Sequence, residues 1–160
     1  MNDAPRAAYA GIDILPWTGA TPDETLALGA REYSVAQAKA IVQFFAEVTT
    51  SLDVDRFVAG FTENSVTARD EHPDIIGQAA LRAFMAPRFV HFGRPGTNYH
   101  CHKVLRALNG NLFGVIWVVH WQEPDTGRAM RGKGLEYWMM DDGRIARWDA
   151  ASVPSWPIAA

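Results

Sequence analysis

The 160-residue sequence contains one cysteine, Cys101. A second thiol is lacking, so an internal disulfide framework is excluded, and a reducing compartment, the cytoplasm by default, is the expectation. An excess of one charge is missing too. Fifteen Lys and Arg stand against 18 Asp and Glu, a formal net charge of −3 with the signs interspersed, so there is no basic stripe and no nucleic-acid partner is expected. No apolar run approaches a membrane span, and Met1 to Gly11 has a single Arg and no apolar core, so neither membrane insertion nor a signal peptide is expected. What is present is an ordinary globular composition, 48% apolar and 21% charged, with a length that suits one domain around one core.

Residues 1–33 read as an N-terminal extension, because Pro5, Gly11, Pro16, Gly19 and Pro22 punctuate it. Within it, Thr21-Pro22 marks the start of a short helix over 22–30, and Trp17 is placed to lie across a neighbouring subunit or a pocket mouth. Residues 34–153 form the domain and 154–160 a tail. Ser34 opens a helix over 35–52 with one wide apolar face, and Asp53 can cap a second over 54–61. A strand-like piece over 65–71 leads to a turn at Pro73 and a third helix over 78–90, which Pro87 is expected to kink or end near Ala86.

From Tyr99 onward every segment reads as strand: 99–108, a turn at Asn109-Gly110-Asn111, 112–122, a turn over 124–127, and a long hairpin over 128–153 closed at Asp141-Asp142-Gly143. Alternation along that hairpin puts Gly132, Gly134, Glu136 and Trp138 on one face. Glycine inside a strand marks close approach of a ligand or another backbone, and a carboxylate follows beside an indole. The pattern is α+β: three N-terminal helices packed on one face of a curved, mostly antiparallel sheet.

This order resembles the nuclear transport factor 2-like superfamily, in particular its SnoaL-like and ketosteroid isomerase-like members, whose fold is a cone. The resemblance is carried by Leu52-Asp53-Val54-Asp55, Phe61 to Val66, Gly77 with Leu81 to Phe84, and Asp142-Gly143-Arg144-Ile145-Ala146-Arg147-Trp148. It implies that Glu136 stands where ketosteroid isomerases place a protonated Asp of the oxyanion hole. Phe45 falls where they have a Tyr donor, and Arg69, with Asp70 beside it, where they have the general base. The Asp-Arg-Asp set of limonene epoxide hydrolases falls on Val119, Trp117 and Ala150, so that mechanism is not expected. A His on the strand after the third helix, a habit of the family, falls on His100.

The candidate catalytic residues are therefore Glu136, His100 and His102, with Asp70, Arg69 and His72 at the rim. Loss of hydration among indoles would favour the neutral acid of Glu136 and suit it to proton transfer. Phe45, Trp117, Val119, Trp121, Trp138 and Trp148 are the candidate substrate-binding residues. Neither a cofactor nor a metal site is expected, since two histidines at i and i+2 lack a further spaced ligand. Cys101 is expected to point away from the pocket, and so is His120, toward a partner subunit; His91 is expected to meet a helix C-terminal dipole. A bulge would reverse the two histidines of 100 and 102.

The functional expectation is a cofactor-independent acid–base enzyme, a lyase or dehydratase or an isomerase, acting on a hydrophobic aromatic or polycyclic oxygenated molecule, with a phenolic substrate favoured. The alternative is a non-catalytic binding or scaffold domain, with Glu136 ion-paired and the cone filled by its own Trp side chains. Either form is expected to be a homodimer or homotrimer built through the sheet face that carries His120 and Tyr137.

Overall fold

A computed structural model of the protein describes residues 32–69 and 72–157. The helix expected over 22–30, Trp17 and Asp70 lie outside the described residues. Helix α1 (Val35–Ser51) begins at a reciprocal capping box: Ser34 Oγ accepts from the Gln37 N–H at 3.2 Å, and Gln37 Oε1 accepts from the Ser34 N–H at 2.9 Å. Asp53 caps α2 (Val54–Ala59) by accepting from the Arg56 N–H at 3.0 Å. This helix ends before its expected bound because Phe61 already belongs to β1 (Phe61–Arg69), where its buried ring meets Phe45, Phe57 and Trp148.

The expected turn at Pro73 is instead part of a strand, β2 (His72–Ile76), paired antiparallel to β1. It is the sheet edge, where a proline without an N–H is tolerated. Helix α3 (Gly77–Phe92) continues past Pro87 rather than ending there. The residues beyond the proline are held by tertiary packing: Phe89 meets Phe57 at 5.5 Å and Phe92 stacks on Tyr99 at 4.6 Å. That contact outweighs the one backbone hydrogen bond a proline removes.

Strands β3 (His100–Asn109), β4 (Leu112–Gln122), β5 (Ala129–Asp141) and β6 (Arg144–Pro157) complete one curved, open sheet ordered β2-β1-β6-β5-β4-β3. All neighbours are antiparallel except β1 and β6, so the sheet is mixed. The architecture is α+β, but the three helices are not all N-terminal: the third follows the first two strands. The core is aromatic, with Phe45 of α1 packed edge-on to Phe57, Phe61 and Trp138. Gly60 makes that possible, since a Cβ there would strike the Phe45 ring.

One irregularity governs the site. Near the turn, Ala107 faces Gly114, yet Leu105 faces Val115, so Arg106 is an extra residue in β3. A one-residue bulge moves every side chain beyond it to the opposite face. Without it His100 would stand opposite Trp121 and His102 opposite Val119. With it, Cys101 faces Val119 and Lys103 faces Trp117.

Candidate functional site

A cavity of about 350 Å³ lies between the helices and the inner face of the sheet. Its interior end is formed by β3 and β5. Lys103 reaches diagonally across β4, placing Nζ 2.9 and 2.8 Å from the two carboxylate oxygens of Glu136. The indole N–H of Trp138 donates to Glu136 Oε2 at 2.9 Å. Both charged side chains are buried, at 6% and 3% exposure, so water screens the pair little. A buried pair of this kind holds because each charge satisfies the other; removing one partner typically costs about 3–5 kcal/mol.

The walls are aromatic. Trp117, Val119 and Trp121 project from β4, Trp148 from β6, Phe92 from the end of α3, and Tyr99 from the residue before β3. Tyr99 is held protonated: loss of hydration, reinforced by nearby Cys101 and Glu136, keeps its phenol well above its ordinary value. Burial likewise pushes the Cys101 thiol up to about 11. The indole nitrogens of Trp117 and Trp148 are buried without a hydrogen-bond partner among the described residues. Such orphans are uncommon, and a ligand acceptor would satisfy them.

At the outer end the lining is cationic. Arg69 closes β1 with its guanidinium 5.0 Å from the Trp148 ring, and Arg88 of α3 lies 3.7 Å over the Phe84 ring. His72 completes this rim, 5.3 Å from Phe84.

Several expected positions need correction. His100 and His102 are exposed on the outer face, their rings 4.3 Å apart, and His102 lies 6.4 Å from His120. The Arg106 bulge put them there and brought in Lys103 and Cys101, so Cys101 lines the cavity rather than pointing away. The three imidazoles and Arg131 sit together, and His120 is held below its ordinary value, chiefly by burial and then by those neighbouring charges. Glu136 is not a lone acid among indoles, because Lys103 and Trp138 hold it. Phe45 and Trp138 belong to the core beneath the cavity rather than to its lining, packed edge-on with ring centres 5.0 Å apart. Trp117, Val119, Trp121, Trp148, Arg69 and Glu136 do line it.

The glycine signal is met by the second of its two expected causes, another backbone, rather than by a ligand. What approaches Gly134 is the chain itself: a Cβ there would strike the Ala151 carbonyl and lie 2.6 Å from the Trp117 ring. The glycine seats an indole. Lys103 and Arg88 are the charged lining residues that sequence reasoning missed. For Arg88 a signal existed, since a helix continued past Pro87 places it one turn after Phe84, over the same ring. Among the described residues no set of His, Cys, Asp and Glu is arranged to hold a metal ion, and no helix is long and apolar enough to cross a membrane.

A helix-covered, curved α+β sheet enclosing a deep aromatic cavity with a buried acid–cation pair defines a small-molecule-sized site in a cone-like scaffold. The SnoaL-like domain model matches residues 41–148, and the chain belongs to that family. Solved structures share the fold. A "putative polyketide cyclase" from Xanthomonas campestris pv. campestris superposes with a TM-score of 0.59 at 23% identity, covering 72% of this chain and 90% of its own. A "putative isomerase" from Bacillus subtilis gives 0.60 at 17%, covering 74% and 88%. An LEH-like epoxide hydrolase from M. tuberculosis gives 0.57 at 14%, covering 74% and 84%. No curated protein matches the sequence. At these identities the likeness shows the fold.

Proposed function

We propose that the protein is a cofactor-independent acid–base enzyme, a lyase or dehydratase or an isomerase, acting on a hydrophobic aromatic or polycyclic oxygenated molecule, with a phenolic substrate favoured. The observation that carries the reading is the open aromatic cavity, walled by Trp117, Trp121 and Trp148, that Lys103 and Glu136 line at its interior end. Glu136 takes a proton from a C–H beside a carbonyl, or from a hydroxyl. The released electron pair moves onto the substrate oxygen, where an ammonium N–H of Lys103 stabilises the developing oxyanion. Three donors on one ammonium allow it to hold Glu136 and still meet that oxygen.

The chemistry then divides by what the substrate offers. Return of the proton to a different carbon is isomerisation, loss of hydroxide with that proton is dehydration, and scission of the adjacent C–C bond is a retro-aldol cleavage. Tyr99, kept neutral by burial, is a second hydrogen-bond donor at the wall. Indole walls suit a flat aryl or fused-ring body.

A second reading has its own support. The Lys103 and Trp138 bonds occupy most of the acceptor capacity of Glu136, as a purely structural ion pair in a ligand-binding domain would have it. Solvent deuterium incorporation into a panel of hydroxylated aryl ketones, followed by NMR, separates the two. The enzyme reading expects exchange with the native protein and its loss, by about 10²–10⁴-fold, in Glu136→Gln with binding retained. Ligands that bind the native protein without any exchange would favour the binding domain.

A further inference from the structure

The charge of the cavity is unbalanced. Among the described residues its fixed ions are Arg69, Arg88 and Lys103 against Glu136, three cations to one carboxylate. Lys103 and Glu136 neutralise each other at the interior end, so the surplus resides at the mouth. Among the described residues neither Arg69 nor Arg88 has a carboxylate within ion-pair distance; the pairs that form involve Arg82, His91, Arg94, Lys103 and Arg147. Among the described residues Arg88 donates to the Phe84 carbonyl alone, at 2.7 Å. The two guanidiniums flank one ring, at 5.9 and 3.7 Å from the centre of Phe84.

Partial burial, and after it repulsion by Arg69, hold Arg88 below its ordinary value, so two neighbouring arginines without a counter-ion are unfavourable there. Cation–π contact with Trp148 and Phe84 holds the two guanidiniums at the rings, and planar guanidiniums so held keep N–H groups for an acceptor. Planar forks of this kind match a carboxylate, which takes paired N–H bonds. Just inside, the Trp148 indole N–H is buried without a partner, a further donor beside Arg69.

We propose that the mouth is a carboxylate clamp, and that the substrate is an aromatic or polycyclic carboxylic acid. Its acid group is held by Arg69 and Arg88, its ring body lies between the indoles, and its oxygenated end is presented to Lys103 and Glu136. The proposal rests on the reading of this cavity as the substrate site. It adds to that reading an anionic handle and an orientation.

The test compares 2-naphthoate with its methyl ester, which keeps the ring and removes the charge, using quenching of intrinsic Trp fluorescence in the full chain. The acid is expected to bind about 10–100-fold tighter than the ester at neutral pH. That preference should shrink as ionic strength rises from about 0.05 to about 0.5 M. In Arg88→Met and Arg69→Met, which keep an apolar stem, the acid should lose most of its advantage while the ester moves little. Arg88→Lys should recover only part of it. Equal affinity of acid and ester for the native protein, no binding of the acid, or a preference that survives both substitutions would overturn the clamp. Failure of the clamp is separable from failure of the enzyme reading. Neutral ketones that still exchange deuterium through Glu136 would leave the acid–base site standing with an uncharged substrate.

Discussion

The two ends of the cavity handle charge in opposite ways. At the interior end a carboxylate and an ammonium are both buried and bond each other, with an indole N–H completing the set. At the mouth two guanidiniums rest on aromatic rings with no carboxylate among the described residues to meet them. The difference follows from solvent access. A charge removed from water must bring its counter-ion with it, whereas a half-exposed arginine can wait for one. The interior pair is thus part of the folding energetics, and the mouth is free to be part of recognition.

The largest effect expected from breaking this contrast is at the interior end. Lys103→Met should cost about 3–5 kcal/mol in chemical denaturation, because it leaves the Glu136 carboxyl buried without its cation, with the Trp138 N–H as the remaining donor among the described residues. The double variant Lys103→Met with Glu136→Leu should lose less than Lys103→Met alone, while recovering none of the deuterium exchange. Simple additivity of the two changes would show that the pair is not coupled. Gly134→Ala should follow at about 1–3 kcal/mol, since its Cβ meets a backbone carbonyl and a packed indole that cannot both retreat. Gly132→Ala is expected to be milder, its nearest obstacle being a Val119 methyl at 3.1 Å.

At the mouth, Arg88→Met should change stability by less than about 1 kcal/mol in the same assay, the worth of one partly exposed cation–aromatic contact. A loss as large as that of Lys103→Met would mean that the mouth, too, is structural. The smallest signal is Cys101. Its unfolded thiol ionises near 9.0 and its folded thiol near about 11, so between those values the folded chain holds more protons and stability falls as pH rises. Alkylation by iodoacetamide should accordingly be slow at neutral pH in the folded protein and fast once urea exposes the thiol. Rapid labelling of the native state would contradict a dry inner wall.

How far the site was legible depended on strand parity. On β4 and β5 the alternation had no interruption across the cavity, and Trp117, Val119, Trp121 and Glu136 lie where the pattern puts them. On β3 the same rule gave the wrong face, because Arg106 bulges and nothing in the Leu105-Arg106-Ala107 sequence marks the extra residue. The two histidines that looked like the acid and base were exchanged for a lysine and a thiol. Phe45 and Trp138 were misplaced for another reason: a pattern assigns a face to a residue, but not the depth at which a helix seals that face into core.

The sequence by itself determined the elements and most of their order, since capping, turn chemistry and periodicity act over a few residues: Ser34 and Asp53 as helix caps, glycine-closed hairpins, and long late strands. It also determined the family. Only the tertiary structure decided that α3 passes Pro87 and that Gly134 accommodates Trp117. It alone brought Lys103 to Glu136 from across an intervening strand, and Arg88 beside Arg69. Each of these depends on residues far apart in the chain meeting in one space, where burial and charge are set by neighbours that no local pattern encodes.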